Sequence, residues 1–150
     1  MKMVLVNPSV LLVDDEVPFV ETMAKRLAKR DLTVETAFSG KEALEKLHSG
    51  GPSRIDVVIL DVKMPGMDGL ETLAAIKAKH PNVEVIMLTG HATVESAIEG
   101  MKGGAYDYLM KPCEMDLLMA KVGEAVAKKR AHEAKILDAR VRVHALRRES

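Results

Sequence analysis

Apolar positions along the chain follow two alternating rhythms. Five short runs, Val10–Val13, Thr33–Ala37, Val57–Leu60, Val83–Leu88 and Tyr106–Met110, are rich in β-branched residues and lack a helical period. They predict strands. Between them apolar residues recur three and four apart: Val20, Met23 and Leu27; Ala43, Leu44 and Leu47; Leu70, Leu73 and Ile76; Val94, Ala97, Ile98 and Met101. These are faces of amphipathic helices. Ser39 with Glu42, and Asp68 with Glu71, carry capping spacing at two helix starts, while Gly50-Gly51-Pro52 and Gly103-Gly104 mark helix exits. Five strands alternating with helices predict an α/β fold with a parallel sheet covered on both faces, since right-handed crossovers place helices on either side.

A fifth helix is predicted from near Glu114, and only Gly123 interrupts it before the last residue. At ~1.5 Å per residue, roughly thirty-five residues reach about 50 Å, too long for a compact body of this size. Leu118, Val122, Ala125, Lys129, His132, Ile136, Ala139, Val143 and Leu146 fall at steps of four and three, an imperfect heptad seam interrupted by Lys129 and His132. Two readings stay open: a short coiled coil, or a solvated helix that frays after about residue 130.

Charge separates this helix from the rest. The 150 residues balance to zero, yet residues 1–127 hold 14 Lys and Arg against 19 Asp and Glu, whereas residues 128–150 hold 8 against 3. Zero net charge gives no general reason to expect a nucleic acid partner. The basic tail interleaves Glu133, Asp138 and Glu149 and has no aromatic for stacking, so direct DNA binding is not expected. A hydrophobic content of 47% suffices for one core, and no apolar run is long enough for a membrane span or signal peptide, so a cytoplasmic location is expected. The single cysteine, Cys113, excludes an internal disulfide and is expected to pack.

Polar residues at strand ends carry the chemistry. The first strand runs into Asp14-Asp15 and the third into Asp61, all at the carboxyl edge where open α/β sheets hold ligands. Three converging carboxylates raise one another's pKa unless a divalent cation with oxygen ligands joins them, and Mg2+ is the natural candidate because it accepts phosphate oxygens too. The fourth strand ends in Thr89-Gly90 and the fifth in Lys111-Pro112, adding a hydroxyl and an ammonium. A carboxylate can attack phosphorus to form an acyl phosphate, and transfer then depends on positioning and charge neutralisation, which the cation, Thr89 and Lys111 can supply.

With these residues in place, the chain closely resembles the receiver domain of bacterial two-component response regulators over about residues 9–125. The resemblance rests on Leu11-Leu12-Val13-Asp14-Asp15-Glu16, on Asp61-Val62-Lys63-Met64-Pro65-Gly66-Met67-Asp68-Gly69, on Leu88-Thr89-Gly90-His91 and on Gly104-Ala105-Tyr106-Asp107-Tyr108-Leu109-Met110-Lys111-Pro112. It implies a flavodoxin-like doubly wound sheet of order 2-1-3-4-5, a lead-in over residues 1–8, a receiver domain over 9–127 and a basic helical extension over 128–150. It further implies that Asp61 takes phosphate from a sensor histidine kinase or phosphotransfer protein. Asp14, Asp15, Asp61 and the backbone carbonyl of Lys63 would hold Mg2+, and Thr89 and Lys111 would contact the phosphoryl group. Thr89 and Tyr108 would switch together, and Lys63 and His91 would tune the lifetime of the phosphorylated form. Output would be a protein contact through the face of the fourth helix, fifth strand and fifth helix, with homodimerisation through that face or the last helix as one form.

The match is nearest to receivers that precede ATP-driven transcription activators, although no Walker motif or helix-turn-helix follows residue 125. The chain is thus expected to be a stand-alone receiver or a piece of a longer activator, a signalling module and not a turnover enzyme. The competing class is a magnesium-dependent phosphohydrolase. The dehalogenase-type pattern for that chemistry wants Asp-x-Asp at the first strand and a cap insertion, and Asp14-Asp15 supplies neither.

Overall fold

The computed structural model describes residues 7–50 and 54–149, with side chains described to Arg147. Residues 1–6 of the expected lead-in, the Gly51-Pro52 helix exit and the side chain of Arg148 lie outside the described residues. Five strands, β1 (Ser9–Val13), β2 (Thr33–Ala37), β3 (Val57–Leu60), β4 (Glu84–Thr89) and β5 (Asp107–Met110), alternate with helices α1 (Val17–Ala28), α2 (Gly40–His48), α3 (Gly69–Lys79), α4 (Val94–Lys102) and α5 (Met115–Glu149). The strands form one parallel sheet in the order β2-β1-β3-β4-β5, with Val10 opposite both Val34 and Val57, and Ile59 opposite Ile86. This is the flavodoxin-like order expected from the resemblance.

Alternation along each strand divides the core into two layers. Val10 and Leu12, Val57 and Ile59, and Ile86 and Leu88 face α1 and α5, where they meet Val20, Leu27, Leu118 and Val122. Leu11 and Val13, Val58 and Leu60, and Val85 and Met87 face the opposite way, towards Ala43, Leu47, Leu73 and Ile76 on α2 and α3. Burial on both faces is why the central strands are apolar throughout. Cys113 packs partly buried against the first layer, as expected.

Local chemistry starts the helices where the sequence places it. Ser39 accepts from the Glu42 amide, and Asp68 and Glu71 form a reciprocal capping box. Thr93 and Ser96 form a further capping box at the start of α4. Gly69 fills a second requirement: its amide donates to the Val62 carbonyl at 2.7 Å, and a Cβ there would stand 2.0 Å from the Asp61 carbonyl oxygen. Only glycine lets α3 start this close to the strand end that carries Asp61.

The fifth helix runs unbroken for 35 residues. Its seam behaves differently in its two halves. Leu118, Val122 and Ala125 are buried against the sheet, and Lys129, which interrupts the apolar pattern, is buried just as deeply at 1% exposure. The lysine is accommodated by ion pairs with Asp56 at 3.1 Å and Glu133 at 3.3 Å. Asp56 also accepts from Arg130 at 3.4 Å and from the Ser9 amide at 2.9 Å. Residues 128–130 of the basic extension therefore pack on the body. Beyond them Leu137, Val141, Val143 and Leu146 are exposed.

Candidate functional site

The carboxyl ends of β1, β3, β4 and β5 bring the predicted residues together, and the sheet ladder itself sets their positions. The Asp61 amide donates to the Val13 carbonyl at 3.0 Å, the Asp14 amide to Ala37 at 3.1 Å and the Lys111 amide to Thr89 at 2.9 Å. Each residue thus continues the strand pairing by one step before the chain turns away. Asp14, Asp15 and Asp61 converge, with a carboxylate oxygen from each lying within 4.8 Å of the others. Asp14 and Asp61 are buried and Asp15 is exposed.

One atom stands out. Asp61 is 2% exposed, and its Oδ1 has no hydrogen-bond partner. A buried carboxylate oxygen left in this state costs free energy. Burial is the main influence raising the Asp61 pKa, and the Asp14 charge raises it further. The Thr89 hydroxyl, Lys111 and the Val62 amide pull in the other direction. A divalent cation among the three carboxylates would satisfy the unpartnered oxygen and cancel the repulsion, so this donor set fits a hard cation with oxygen ligands.

Lys111 reaches into the cluster from β5. Its Nζ donates to Asp14 at 2.5 Å and to Glu16 at 3.4 Å, and lies 4.0 Å above the centre of the Phe19 ring. The peptide bond between Lys111 and Pro112 is cis. Burial works to lower the Lys111 pKa, but the Asp14 hydrogen bond and charge, with Asp61 and Glu16, outweigh it and hold the ammonium above its ordinary value. It stays a cation at any physiological pH. Thr89 is fully buried, and its hydroxyl accepts from the His91 amide at 3.0 Å.

An open cleft of about 530 Å³ leads to Asp61 between Asp15, Glu16, Lys63, Met64, Pro65 and His91. Lys63 and His91 are exposed on its walls, consistent with access to the cleft and not with a place among the buried residues. Tyr108 lies further along the sheet, half-buried, with its hydroxyl 2.7 Å from Ser96 Oγ on α4. Its ring lies over Gly100, where a Cβ would meet Cδ2 at 3.5 Å.

Three contributors escaped the sequence reading: Glu16 as a second partner of Lys111, Phe19 beneath its ammonium, and Ser96 beside Tyr108. Ser96 carried a signal, since it follows Thr93 at capping spacing. Phe19 carried none, because an aromatic near a helix start looks like ordinary packing.

A carboxylate trio with a threonine and a lysine at the carboxyl edge of a 2-1-3-4-5 parallel sheet defines the receiver class of signalling domains. The chain belongs to that family: residues 10–123 match the response regulator receiver domain. It is 35% identical over 129 residues to the transcriptional regulatory protein ZraR of Klebsiella oxytoca, across 86% of this chain and 28% of that protein. The chain spans about a quarter of the length of the curated relatives it matches. Among solved structures it is similar to a response regulator receiver domain protein from Clostridium thermocellum, at 36% identity and a TM-score of 0.78, covering 83% of this chain and 98% of that one. The response regulator TrrA of Thermotoga maritima, solved in complex with Mg2+ and BeF, is 34% identical with a TM-score of 0.70, across 79% of this chain and 98% of that one. No described helix is long and apolar enough to cross a membrane.

Proposed function

We propose that Asp61 is the phosphoacceptor through which a sensor histidine kinase, or a phosphotransfer protein, drives this receiver. The observation that carries the reading is the buried, unpartnered Asp61 Oδ1 within a carboxylate cluster that opens to a cleft. A carboxylate oxygen of Asp61 not held by the cation forms a bond to phosphorus as the phosphorus–nitrogen bond of a phosphohistidine breaks, and the electron pair of the broken bond returns to the imidazole. Asp14, Asp15, Asp61 and the Lys63 carbonyl would hold Mg2+, which when bound neutralises charge on the phosphoryl oxygens. The Lys111 ammonium and Thr89 hydroxyl do the same from the other side, and Lys111 exchanges part of its bond to Asp14 for the new anion. Thr89 turning towards the phosphoryl group releases its bond to the His91 amide, and Tyr108 leaves Ser96 to follow it inward. Lys63 and His91, on the cleft walls, regulate the approach of water and so the lifetime of the acyl phosphate.

Output follows from the same movement. Val94, Ile98 and Met101 on α4, the helix that Tyr108 touches, and Leu117 on α5 are exposed and would supply apolar surface for a protein contact or a second copy. Incubation with Mg2+ and a small phosphodonor is expected to add one phosphate per chain, and the Asp61→Asn variant to add none. Equal labelling of that variant overturns the assignment. Repeated turnover of a generic phosphate ester would instead support the phosphohydrolase reading.

A further inference from the structure

At the opposite edge of the sheet, two imidazoles from different helices meet in a geometry that the phosphoryl site does not use. His48 is the last residue of α2, and His80 caps the carboxyl end of α3. The Nδ1 atom of His48 and the Nε2 atom of His80 lie 3.1 Å apart, with ring centroids 4.9 Å apart and planes inclined at 44°. Helices in this fold run opposite to the strands, so both helix ends lie far from Asp61.

From this geometry we infer that His48 and His80 form a chelating site for a borderline transition-metal ion such as Zn2+, Ni2+ or Cu2+, bridging the carboxyl ends of α2 and α3. With metal–nitrogen distances of ~2.0–2.1 Å, two nitrogens on one ion stand about 2.9 Å apart at octahedral angles and about 3.4 Å apart at tetrahedral ones. The observed separation falls inside that window, so the spacing suits both donors on one ion once the rings tilt from facing each other to facing it. Imidazole selects this class of metal, while Mg2+ prefers the carboxylates of the other edge. The two sites therefore sort ions by ligand chemistry.

The backbone holds the donors apart from any ion. The His80 amide donates to Ile76 at 2.6 Å and its carbonyl accepts from Val83 at 3.0 Å, while His48 completes the last turn of α2 beside buried Leu47. Both rings also lie at helix carboxyl termini, whose partial negative charge favours a cation. Glu45 lies one turn before His48 on the same helix and is exposed. Lys79, exposed on a flexible stem next to His80, is a cation that opposes a metal there.

Binding needs the lone pairs of His48 Nδ1 and His80 Nε2 together. The proton now shared along their contact moves to the outer nitrogen of its own ring through solvent, so chelation by two neutral imidazoles releases no net proton. The ion then replaces one hydrogen bond by two coordinate bonds across the α2–α3 seam and ties the two helix ends together.

The test titrates the full chain with ZnCl2 and, separately, NiCl2 in saturating Mg2+, reading stoichiometry by calorimetry and the unfolding midpoint by thermal melting. One ion per chain and a raised midpoint are expected. His48→Gln and His80→Gln should each weaken binding on the order of tenfold or more, while Asp15→Asn leaves it unchanged. Nitrogen-15 shifts of the two rings under Zn2+ give a readout independent of stability. Binding that survives both histidine variants, or that is lost only in Asp15→Asn, overturns the inference, as does an absence of ring shifts at millimolar Zn2+.

Discussion

The two edges of the sheet use the same residue types to opposite ends. At the carboxyl edge three carboxylates meet one lysine, and an oxygen of Asp61 is left without a partner. At the amino edge Asp56 is bound by Lys129, Arg130 and the Ser9 amide, and Glu84 lies between Lys77 at 3.8 Å and Lys128 at 3.4 Å. Both edges bury acids. One is short of cations and is therefore suited to a ligand, whereas the other is matched and fastens the long helix to the body. Burial alone does not mark a site; an unbalanced inventory of partners does.

The largest effect expected at the reactive edge is complete loss of phosphate uptake in Asp61→Asn, read by intact mass after treatment with a phosphodonor. At the matched edge the largest is structural. Asp56→Ala leaves the Lys129 ammonium buried without its deepest counter-charge and should cost about 3–5 kcal/mol in denaturant unfolding, whereas phosphate uptake per folded molecule stays intact. Similar losses of uptake and stability in both variants would erase the contrast between the edges.

Mg2+ should stabilise the protein by about 2.7 kcal/mol at a hundred times its dissociation constant, an effect that Asp15→Asn weakens and Asp56→Asn spares. Gly69→Ala forces a methyl against the Asp61 carbonyl and should cost ~1–3 kcal/mol, with a parallel loss of Mg2+ affinity by calorimetry. That coupling distinguishes it from a cavity variant elsewhere in the core.

A subtler contrast lies in pH. Because Asp61 has a folded pKa above its unfolded value, its favourable contribution is present below the unfolded pKa near 3.9 and is lost as pH rises through the folded value. Without Mg2+, Asp61→Asn should therefore be more stable than the parent at neutral pH, and the gap should close as pH falls towards 4. A constant gap would mean that burial of the charge is not its cause. The smallest effect is expected at the far end of α5: truncation after Ala134 removes residues that, among those described, are exposed except for half-buried Ile136, and should change stability by under ~0.5 kcal/mol, whereas truncation after Ala127 also removes Lys129 and should cost several-fold more.

The long helix shows why one part of the chain was harder to read than another. A lysine in a heptad seam looks like an interruption, and Lys129 left a solvated helix open beside a coiled coil. Its partner Asp56 lies 73 positions earlier, and nothing local in either segment announces the other. Ser96 and Tyr108 are a further case, since nothing local announces their 2.7 Å contact across α4 and β5. Asp14, Asp61, Thr89 and Lys111 were legible because each ends an apolar strand, and a strand end is a local signal that the parallel topology turns into a common edge.

What the amino-acid order determined by itself was periodicity, capping and strand ends: five strands, their helices, and the four candidate positions at the carboxyl edge. These depend on interactions within a few residues and on burial of an apolar face, both written in consecutive positions. What only the tertiary structure decided was partnership: which acid stays bare at Asp61, which cations close over Asp56 and Glu84, and that His48 meets His80. Those outcomes depend on residues distant in sequence arriving at the same few ångströms, and the balance of charge within that space sets whether an acid becomes a fastening or a reactive centre.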